Sequence, residues 1–183
     1  DLNMPGANGI ELTSLIREQE AFMHTPIVFL SGESDEDRQF DAIASCDVVC
    51  QIADPAQAVR EFHRVLCPGG HVVLTMPAYP WMYSYHDREV GNLRRYARGE
   101  VNVLLQGAGF RIVRSTYWNT LLFPLAVLRR KILPPAAPTS DVSLFPAPVE
   151  AGFNALMAIE HAWLGAGGSL PLGNSVLTVA QKS

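Results

Sequence analysis

The stretch Arg64-Val-Leu-Cys-Pro-Gly-Gly-His-Val-Val-Leu-Thr-Met-Pro77 decides the fold of this chain. Its first residues end a predicted helix that begins at Asp54-Pro55, with aspartate as the N-cap and proline at the first helical position. The helix is expected to run to Leu66, and Cys67–Gly70 then predicts a turn because proline and paired glycines cannot continue it. His71–Met76 is apolar and β-branched, which predicts a strand. A helix that leads through a turn into a buried strand is typical of an α/β sheet.

Strands and helices alternate on both sides of this stretch. Upstream, Phe40–Val49 is an apolar run that predicts another strand. The other predicted elements are helices at Glu100–Ala108, Leu121–Ile132 and Val149–Leu164, strands at Phe110–Trp118 and Ser175–Gln181, and a long loop at Pro77–Arg98. This alternation indicates an α/β fold with a Rossmann-like, mostly parallel sheet. Functional residues of such sheets gather beyond the carboxyl ends of the strands, here near Ser31, Asp47 and Pro77.

The charge of the chain is unevenly distributed. The 183 residues have a net charge of −4, with 48% hydrophobic and 17% charged residues, a composition typical of globular proteins. That charge does not favour a nucleic-acid partner. Residues 1–39 hold eight acids and two bases, a net charge of −6, whereas residues 40–183 hold ten acids and twelve bases, a net charge of +2. The shift predicts two parts, residues 1–39 and residues 40–183.

The three cysteines, Cys46, Cys50 and Cys67, lie in apolar segments. This favours buried thiols in a reducing cytoplasm over a redox or metal-binding role. No second cysteine pair accompanies Cys46 and Cys50, so we expect no zinc site and no other metal site. The sequence shows neither a signal-peptide pattern nor an apolar run of about 20 residues, the length that a membrane span needs. We therefore expect a cytoplasmic protein.

The segment Asp1-Leu-Asn-Met-Pro-Gly-Ala-Asn-Gly-Ile-Glu-Leu12 resembles the sequence around the phosphoacceptor aspartate of response-regulator receiver domains. A predicted helix at Ile10–Glu20 and a predicted strand in Thr25–Gly32 continue the resemblance. It implies that Asp1 is the phosphoacceptor, that Ser31 is the switch hydroxyl, and that a histidine kinase is the partner. The family's acidic cation-binding pair and its phosphoryl-contacting lysine have no counterpart in this segment. Residues 1–39 are therefore interpreted as a receiver-domain fragment.

Residues 40–183 resemble class I S-adenosylmethionine-dependent methyltransferases of the type 11/12 group. Phe40-Asp-Ala-Ile resembles the start of the family's fourth strand, Arg64–Pro77 its R-V-L-x-P-G-G segment and fifth strand, and Gly107–Val113 the start of the next strand. Further similar segments are Pro77–Met82, His86-Asp87, Arg94–Tyr96, Asn119–Pro124 and Leu170–Ser175. The resemblance implies S-adenosylmethionine as cofactor, with Cys46 and Asp47 beside its adenosyl group. It also implies a small molecule or a lipid precursor as the methyl acceptor.

The sequence departs from that family in its donor site. The glycine-rich loop after the first strand and the acidic residue that closes the second strand are missing, and Ser31-Gly-Glu-Ser34 supplies only one glycine. Cys50-Gln51 stand where many relatives have Glu-His. Because methyl transfer depends on positioning the donor, we expect a sheet that is incomplete at its N-terminal side, weak donor binding and impaired activity. Only about eight residues separate Ser31 from Phe40, too few for a parallel crossover, which favours a fusion of two parts, natural or artificial.

The loop after the fifth strand of that family is the expected acceptor site, with His86 as the candidate catalytic base. The residues expected to contact the acceptor are Trp81, Arg94, Arg95 and Tyr96. The alternative is a structural loop that is folded back by salt bridges to Asp87 and Glu89. Both interpretations stay open at the level of the sequence.

Three functions are compatible with these patterns: an impaired methyltransferase, a receiver module phosphorylated at Asp1, and a fusion remnant without activity. The apolar run from Tyr117 to the basic Arg129-Arg130-Lys131 adds a surface that could rest on a membrane. Core packing beneath a basic edge is the hypothesis that this run favours.

Overall fold

Four strands form one sheet in the part of the chain that this computed structural model describes, residues 40–132 and 147–183. The strands are β1 (Phe40–Cys46), β2 (Leu66–Pro77), β3 (Phe110–Trp118) and β4 (Ser175–Lys182), in the order β1-β2-β4-β3. β1 and β2 are parallel, whereas β4 lies antiparallel to both β2 and β3. The α/β, Rossmann-like class is confirmed, and the described pairings are mixed because β4 returns between two strands that run the same way. The predicted receiver-like elements, with Asp1 and Ser31, lie outside the described residues.

Five helices accompany the sheet in the described ranges. They are α1 (Pro55–Val65), α2 (Tyr85–Glu89), α3 (Arg98–Gly107), α4 (Phe123–Val127) and α5 (Ala147–Gly165), with 3-10 turns at Val49–Gln51 and Pro80–Met82 and a π-helical turn at Leu128–Ile132. The segment predicted as a long loop after β2 therefore contains a 3-10 turn and the short helix α2. The predicted strand Phe40–Val49 ends earlier, at Cys46.

The helix α1 begins as the sequence predicts. The Asp54 side chain accepts a hydrogen bond from the Gln57 backbone N–H at 2.9 Å, and Pro55 occupies the first turn. Val59 and Phe62, three residues apart, share the buried face. The helix ends because Leu66 adopts an extended backbone, with φ −79° and ψ 144°.

The core lies between α1, α3 and one face of the sheet. Alternation along β2 places every second side chain on this face. The buried side chains are Val59 and Phe62 of α1, Val72, Leu74 and Met76 of β2, Val101 and Leu105 of α3, and Val176 and Ala180 of β4. On the opposite face, Val73, Leu177 and Val179 are only half-buried. The two helices thus fix the sheet from one side and hold its carboxyl edge in place.

The start of β2 is irregular, because the predicted turn Cys67–Gly70 is drawn into the strand. The pairing with β1 jumps from Phe40–Leu66 to Ala42–His71. A Cβ at Gly70 would lie 2.9 Å from the Cys67 carbonyl oxygen, closer than a side chain tolerates. Glycine is therefore required where the two backbones approach each other here.

Candidate functional site

Three non-glycine residues with left-handed backbones lie at one edge of the sheet. They are Asp47 (φ 54°), Tyr79 (φ 61°) and Asn119 (φ 59°), and each follows the end of a strand: β1, β2 or β3. Because β1, β2 and β3 all run in the same direction, their carboxyl ends share this edge. Left-handed backbones cost free energy in residues with a Cβ, and they cluster at functional sites. The carboxyl edge is therefore the candidate site.

Asp47 is bound to the next strand by two hydrogen bonds. Its backbone N–H donates to the Thr75 carbonyl oxygen at 3.1 Å, and the Thr75 hydroxyl donates to Oδ1 of Asp47 at 3.2 Å. Partial burial of the carboxyl raises its pKa, an effect opposed by the Thr75 hydrogen bond and by the positive charge of Arg95. The residue as a whole remains exposed, so the burial concerns the side of the carboxyl group that faces Thr75. The outer side of this carboxylate is available to accept hydrogen bonds from a ligand.

A chain of polar contacts extends from Asp47 into the segment after β2. Sγ of Cys50 lies 3.1 Å from the Asp47 carbonyl oxygen and 3.2 Å from Oδ1 of Asn92, and its single S–H is shared between these two acceptors. Burial, with the nearby negative charge of Asp47, raises the pKa of Cys50 to about 12. Asn92 in turn donates from Nδ2 to Oδ1 of Asp87 at 3.2 Å. Cys50 is thus a protonated structural thiol and not a nucleophile.

The chain of contacts ends in a buried ion pair between Arg95 and Asp87. Nε of Arg95 lies 2.8 Å from Oδ1 of Asp87, and the two side chains are 2% and 0% exposed. The Arg95 guanidinium also donates to the Ala78 carbonyl oxygen at 3.1 Å, which ties the pair to the end of β2. Burial alone would raise the pKa of Asp87, but the hydrogen bonds and charge of Arg95, with help from Asn92 and Ser84, hold it below its ordinary value. Burial lowers the pKa of Arg95, against the opposing effect of Asp87.

This geometry assigns Arg95 to the structure of the loop and not to an exposed acceptor site. Of the two salt bridges proposed for the folded-back loop, the one to Asp87 is present. Arg94 also contacts the protein, because its guanidinium donates to the Ala53 carbonyl oxygen at 3.0 Å. Tyr96 is buried in the core, and its backbone N–H donates to the Pro77 carbonyl oxygen at 3.0 Å. Burial raises the pKa of Tyr96.

His86 and Trp81 occupy different surroundings. His86 is half-buried in the short helix α2, next to Asp87. Trp81 is exposed beside the carboxyl edge, and its ring lies 5.8 Å from that of Tyr79. Cys46, predicted to be a buried thiol beside the donor, is exposed, because it alternates with Ile43 and Ser45, which face the interior. Among the predicted site residues that the structure describes, Cys46, Asp47 and Trp81 combine exposure with a position at the edge.

An aromatic cluster, defined by Tyr79, Trp81, Tyr117 and Phe123, covers the part of the edge formed by β2 and β3. Tyr79 stacks on Tyr117 with ring centroids 5.2 Å apart, and Phe123 lies 5.3 Å from Tyr79. The guanidinium of Arg98 lies 5.5 Å from the centroid of the Tyr117 ring. Stacked rings of this kind suit a flat or apolar ligand group.

Several residues of the edge could not be identified from the sequence. Asn92 and Thr75 carry no motif of their own, and they join the site only through contacts with residues far along the chain. A left-handed tyrosine or aspartate likewise has no sequence signal, unlike glycine. In the described residues no group of three or more His, Cys, Asp or Glu side chains could hold a metal ion. Nor does any described helix have the length and apolar character to cross a membrane.

Sequence comparison supports the methyltransferase resemblance for part of the chain. The model of a family described as methyltransferase domain matches residues 16–74, which include β1, α1 and most of β2. The match begins inside the segment that resembles a receiver. An uncharacterized 76.5 kDa protein of Thiocystis violacea is 51% identical over 43 residues, which are 24% of this chain and 6% of that protein.

Alignments with solved structures cover more of this chain than the family model does. An S-adenosylmethionine-dependent methyltransferase from Mesorhizobium loti aligns with 100% of this chain and 78% of its own, at 16% identity and a TM-score of 0.51. A candidate methyltransferase from Bacillus halodurans C-125 aligns with 96% of this chain and 80% of its own, at 15% identity and a TM-score of 0.50. The chain also spans 55% of a Haloferax volcanii protein solved with the methyltransferase activator Trm112, at 16% identity and a TM-score of 0.46. The chain thus has a fold similar to those of the Mesorhizobium loti and Bacillus halodurans proteins.

Proposed function

We propose that this chain is an S-adenosylmethionine-dependent methyltransferase domain with its donor site at Asp47. The observation that carries the proposal is the position of Asp47. It directly follows β1 at the carboxyl edge, it has a left-handed backbone held by Thr75, and it lies within the residues matched by the methyltransferase family model. Ligands of open α/β sheets bind at this edge.

The residues present fit one end of the donor. S-Adenosylmethionine carries hydroxyl and amino donors and a sulfonium cation, and the exposed carboxylate of Asp47 complements such groups. The chain offers no glycine-rich loop to hold the amino-acid end. We therefore propose that this chain alone binds the donor weakly and is impaired as an enzyme. In this proposal the methyl acceptor, a small molecule or a lipid precursor, approaches the aromatic cluster from the side of Trp81, and half-buried His86 is the candidate base.

Calorimetric titration with S-adenosylmethionine tests the donor site. We expect weak binding by the natural chain and a further loss of about tenfold or more in Asp47→Ala, the usual effect of losing a hydrogen bond to a charged group. Asp41→Ala is the matched control, since Asp41 is an exposed aspartate near the opposite end of the same strand. Equal effects of the two substitutions, or no binding by the natural chain, would contradict the donor site. Micromolar affinity would contradict only the impairment.

We infer a second candidate function from the receiver-like segment, namely phosphorylation at Asp1 with Ser31 as the switch hydroxyl. The Asp1–Leu12 motif supports it, whereas the methyltransferase match competes for residues 16–39. Incubation with acetyl phosphate and Mg²⁺ tests it, with Asp1→Asn as the control. Acid-labile labelling that the substitution abolishes is the expected result if the segment acts as a receiver. Absence of labelling would contradict the proposal that this segment is phosphorylated.

A further inference from the structure

An exposed apolar surface with a basic end follows β3. We define the apolar-basic surface as the exposed side chains of Leu121, Leu125, Leu128 and Ile132 together with those of Arg129 and Lys131. Arg130 between them is half-buried and is not part of this surface. The four apolar side chains are between 40% and 63% exposed. Core packing, the hypothesis that the sequence favours for this run, therefore does not hold for these four side chains, whereas Tyr117 at the start of the run packs against the core. Exposed apolar residues in a contiguous run mark a surface that binds something.

The helix α5 contacts the start of this surface. Of its side chains that the structure describes, only Glu160 and Leu164 are buried, whereas Ile159 and Trp163 are 64% and 57% exposed. Oε2 of Glu160 accepts hydrogen bonds from the backbone N–H groups of Thr120 at 2.9 Å and Leu121 at 3.3 Å. These bonds anchor α5 to the start of the apolar-basic surface.

The apolar-basic surface is continuous with the aromatic cluster at the carboxyl edge. Phe123, the first residue of α4, lies 5.3 Å from the Tyr79 ring and 6.4 Å from the Trp81 ring. Trp81 itself is 55% exposed. Nζ of Lys131 donates to the Tyr83 carbonyl oxygen at 2.9 Å, which joins the basic end to the same loop. Exposed tryptophan beside aliphatic side chains is typical of residues at a membrane interface.

The charge of residues 118–132, which include the apolar-basic surface, indicates the partner of that surface. Residues 118–132 contain three basic residues and no acidic one, although the whole chain has a net charge of −4. Anionic lipids attract basic residues that flank an apolar surface. A second copy of the chain would fit less well, because residues 118–132 of that copy would offer these basic residues no acidic partner.

We propose that the apolar-basic surface binds the interface of an anionic lipid bilayer, with Leu125, Leu128 and Ile132 inserted among the acyl chains and the exposed Arg129 and Lys131 at the headgroups. Bound in this way, the bilayer lies next to Trp81 and the aromatic cluster. Binding to the bilayer does not depend on methyl transfer. If the proposed methyltransferase function also holds, the geometry favours a lipid precursor as acceptor.

Cosedimentation with vesicles tests this proposal on the full chain. We expect binding to vesicles of phosphatidylcholine mixed with an equal part of phosphatidylglycerol, and weaker binding to pure phosphatidylcholine. Charge neutralisation by Lys131→Gln should weaken binding about fivefold, and added salt should weaken it further. The double substitution Leu125→Glu/Leu128→Glu should abolish binding.

Val103→Glu is the control, because Val103 is an apolar residue on α3 that is more exposed than Leu125 or Leu128 and lies outside the apolar-basic surface. It should bind vesicles as the natural chain does. Tryptophan fluorescence gives a second measurement, and a blue shift on vesicle binding should diminish in Trp81→Phe. Absence of binding to either vesicle would overturn the proposal, and so would binding that survives the double glutamate substitution. A dimer in light scattering that this substitution dissociates, without any vesicle binding, would assign the surface to a second copy instead.

Discussion

Replacing Arg95 by methionine separates the structural role of the loop after β2 from an acceptor-binding role. Methionine keeps an apolar stem but removes the guanidinium, which leaves the Asp87 carboxylate buried without a cation and the Ala78 carbonyl oxygen without this donor. Breaking a buried ion pair by removing one partner costs about 3–5 kcal/mol. We therefore expect Arg95→Met to lower the free energy of unfolding by that amount at neutral pH.

Arg64→Met is the matched control for this experiment. Nε of Arg64 lies 2.8 Å from Oε2 of Glu61, the same separation as in the buried pair, but both side chains are 51% exposed. Exposed pairs contribute less than about 1 kcal/mol because water screens the charges. Burial is therefore the main difference between the two experiments, and urea denaturation followed by circular dichroism measures both.

The dependence on pH gives a second check. In the natural chain the pKa of Asp87 is lowered, so the stability that the pair contributes is present at neutral pH and is lost only as the pH falls through that lowered pKa. In Arg95→Met, burial without a cation raises the pKa of Asp87, and protonation relieves the penalty as the pH falls. The destabilisation by the substitution should therefore shrink towards about pH 4.

Two results would refute this reasoning. One is a destabilisation below about 1 kcal/mol, the value of an exposed pair. The other is a destabilisation that does not change with pH. The double variant Asp87→Leu/Arg95→Met should be more stable than Arg95→Met alone, because it leaves no uncompensated charge in the interior.

Three further predictions concern local features of the described residues. Asp54→Ala should lower the free energy of unfolding by about 1 kcal/mol through loss of the α1 N-cap, whereas Asp54→Asn should keep most of it; urea denaturation measures both. Alkylation of the native chain near pH 8 should modify exposed Cys46 first and buried Cys50 only after unfolding, because the pKa of Cys50 is raised to about 12. Peptide mass spectrometry shows the order of modification, and modification of both cysteines at the same time would contradict the burial of the Cys50 thiol. Gly109→Ala should destabilise the chain by more than about 1 kcal/mol, because Gly109 has a φ of +93°. Gly107→Ala should be neutral or stabilising, because no atom lies within 4 Å of the added Cβ. Thermal unfolding of the two variants distinguishes these effects.

Part of the fold could be predicted because its signals are local. The Asp54-Pro55 start of α1 and the bounds of β3 agree with the sequence predictions, since capping and apolar periodicity act within a few residues. The turn at Cys67–Gly70 was predicted to lie outside the strand. It is instead part of β2, where Gln181 and Lys182 of β4 donate side-chain hydrogen bonds to the carbonyl oxygens of Gly69 and Leu66.

The candidate site was only partly predictable. Asp47 could be placed at the edge because it follows an apolar strand. The sequence offers Asp87 and Glu89 as salt-bridge partners for the loop after β2. Only the structure shows that Arg95 pairs with Asp87 and that this ion pair is buried.

The amino-acid sequence by itself determined the α/β class, the methyltransferase resemblance, and the positions of the main strands and helices, because hydrophobic periodicity and capping are encoded in neighbouring residues. Only the tertiary structure decided which residues form the carboxyl edge. There Asp47, Tyr79 and Asn119 share one edge because antiparallel β4 lies between β2 and β3, so that β1, β2 and β3 run in the same direction. The apolar side chains after β3 remain exposed. Both outcomes depend on packing between segments that are distant in sequence, and no local pattern specifies such packing.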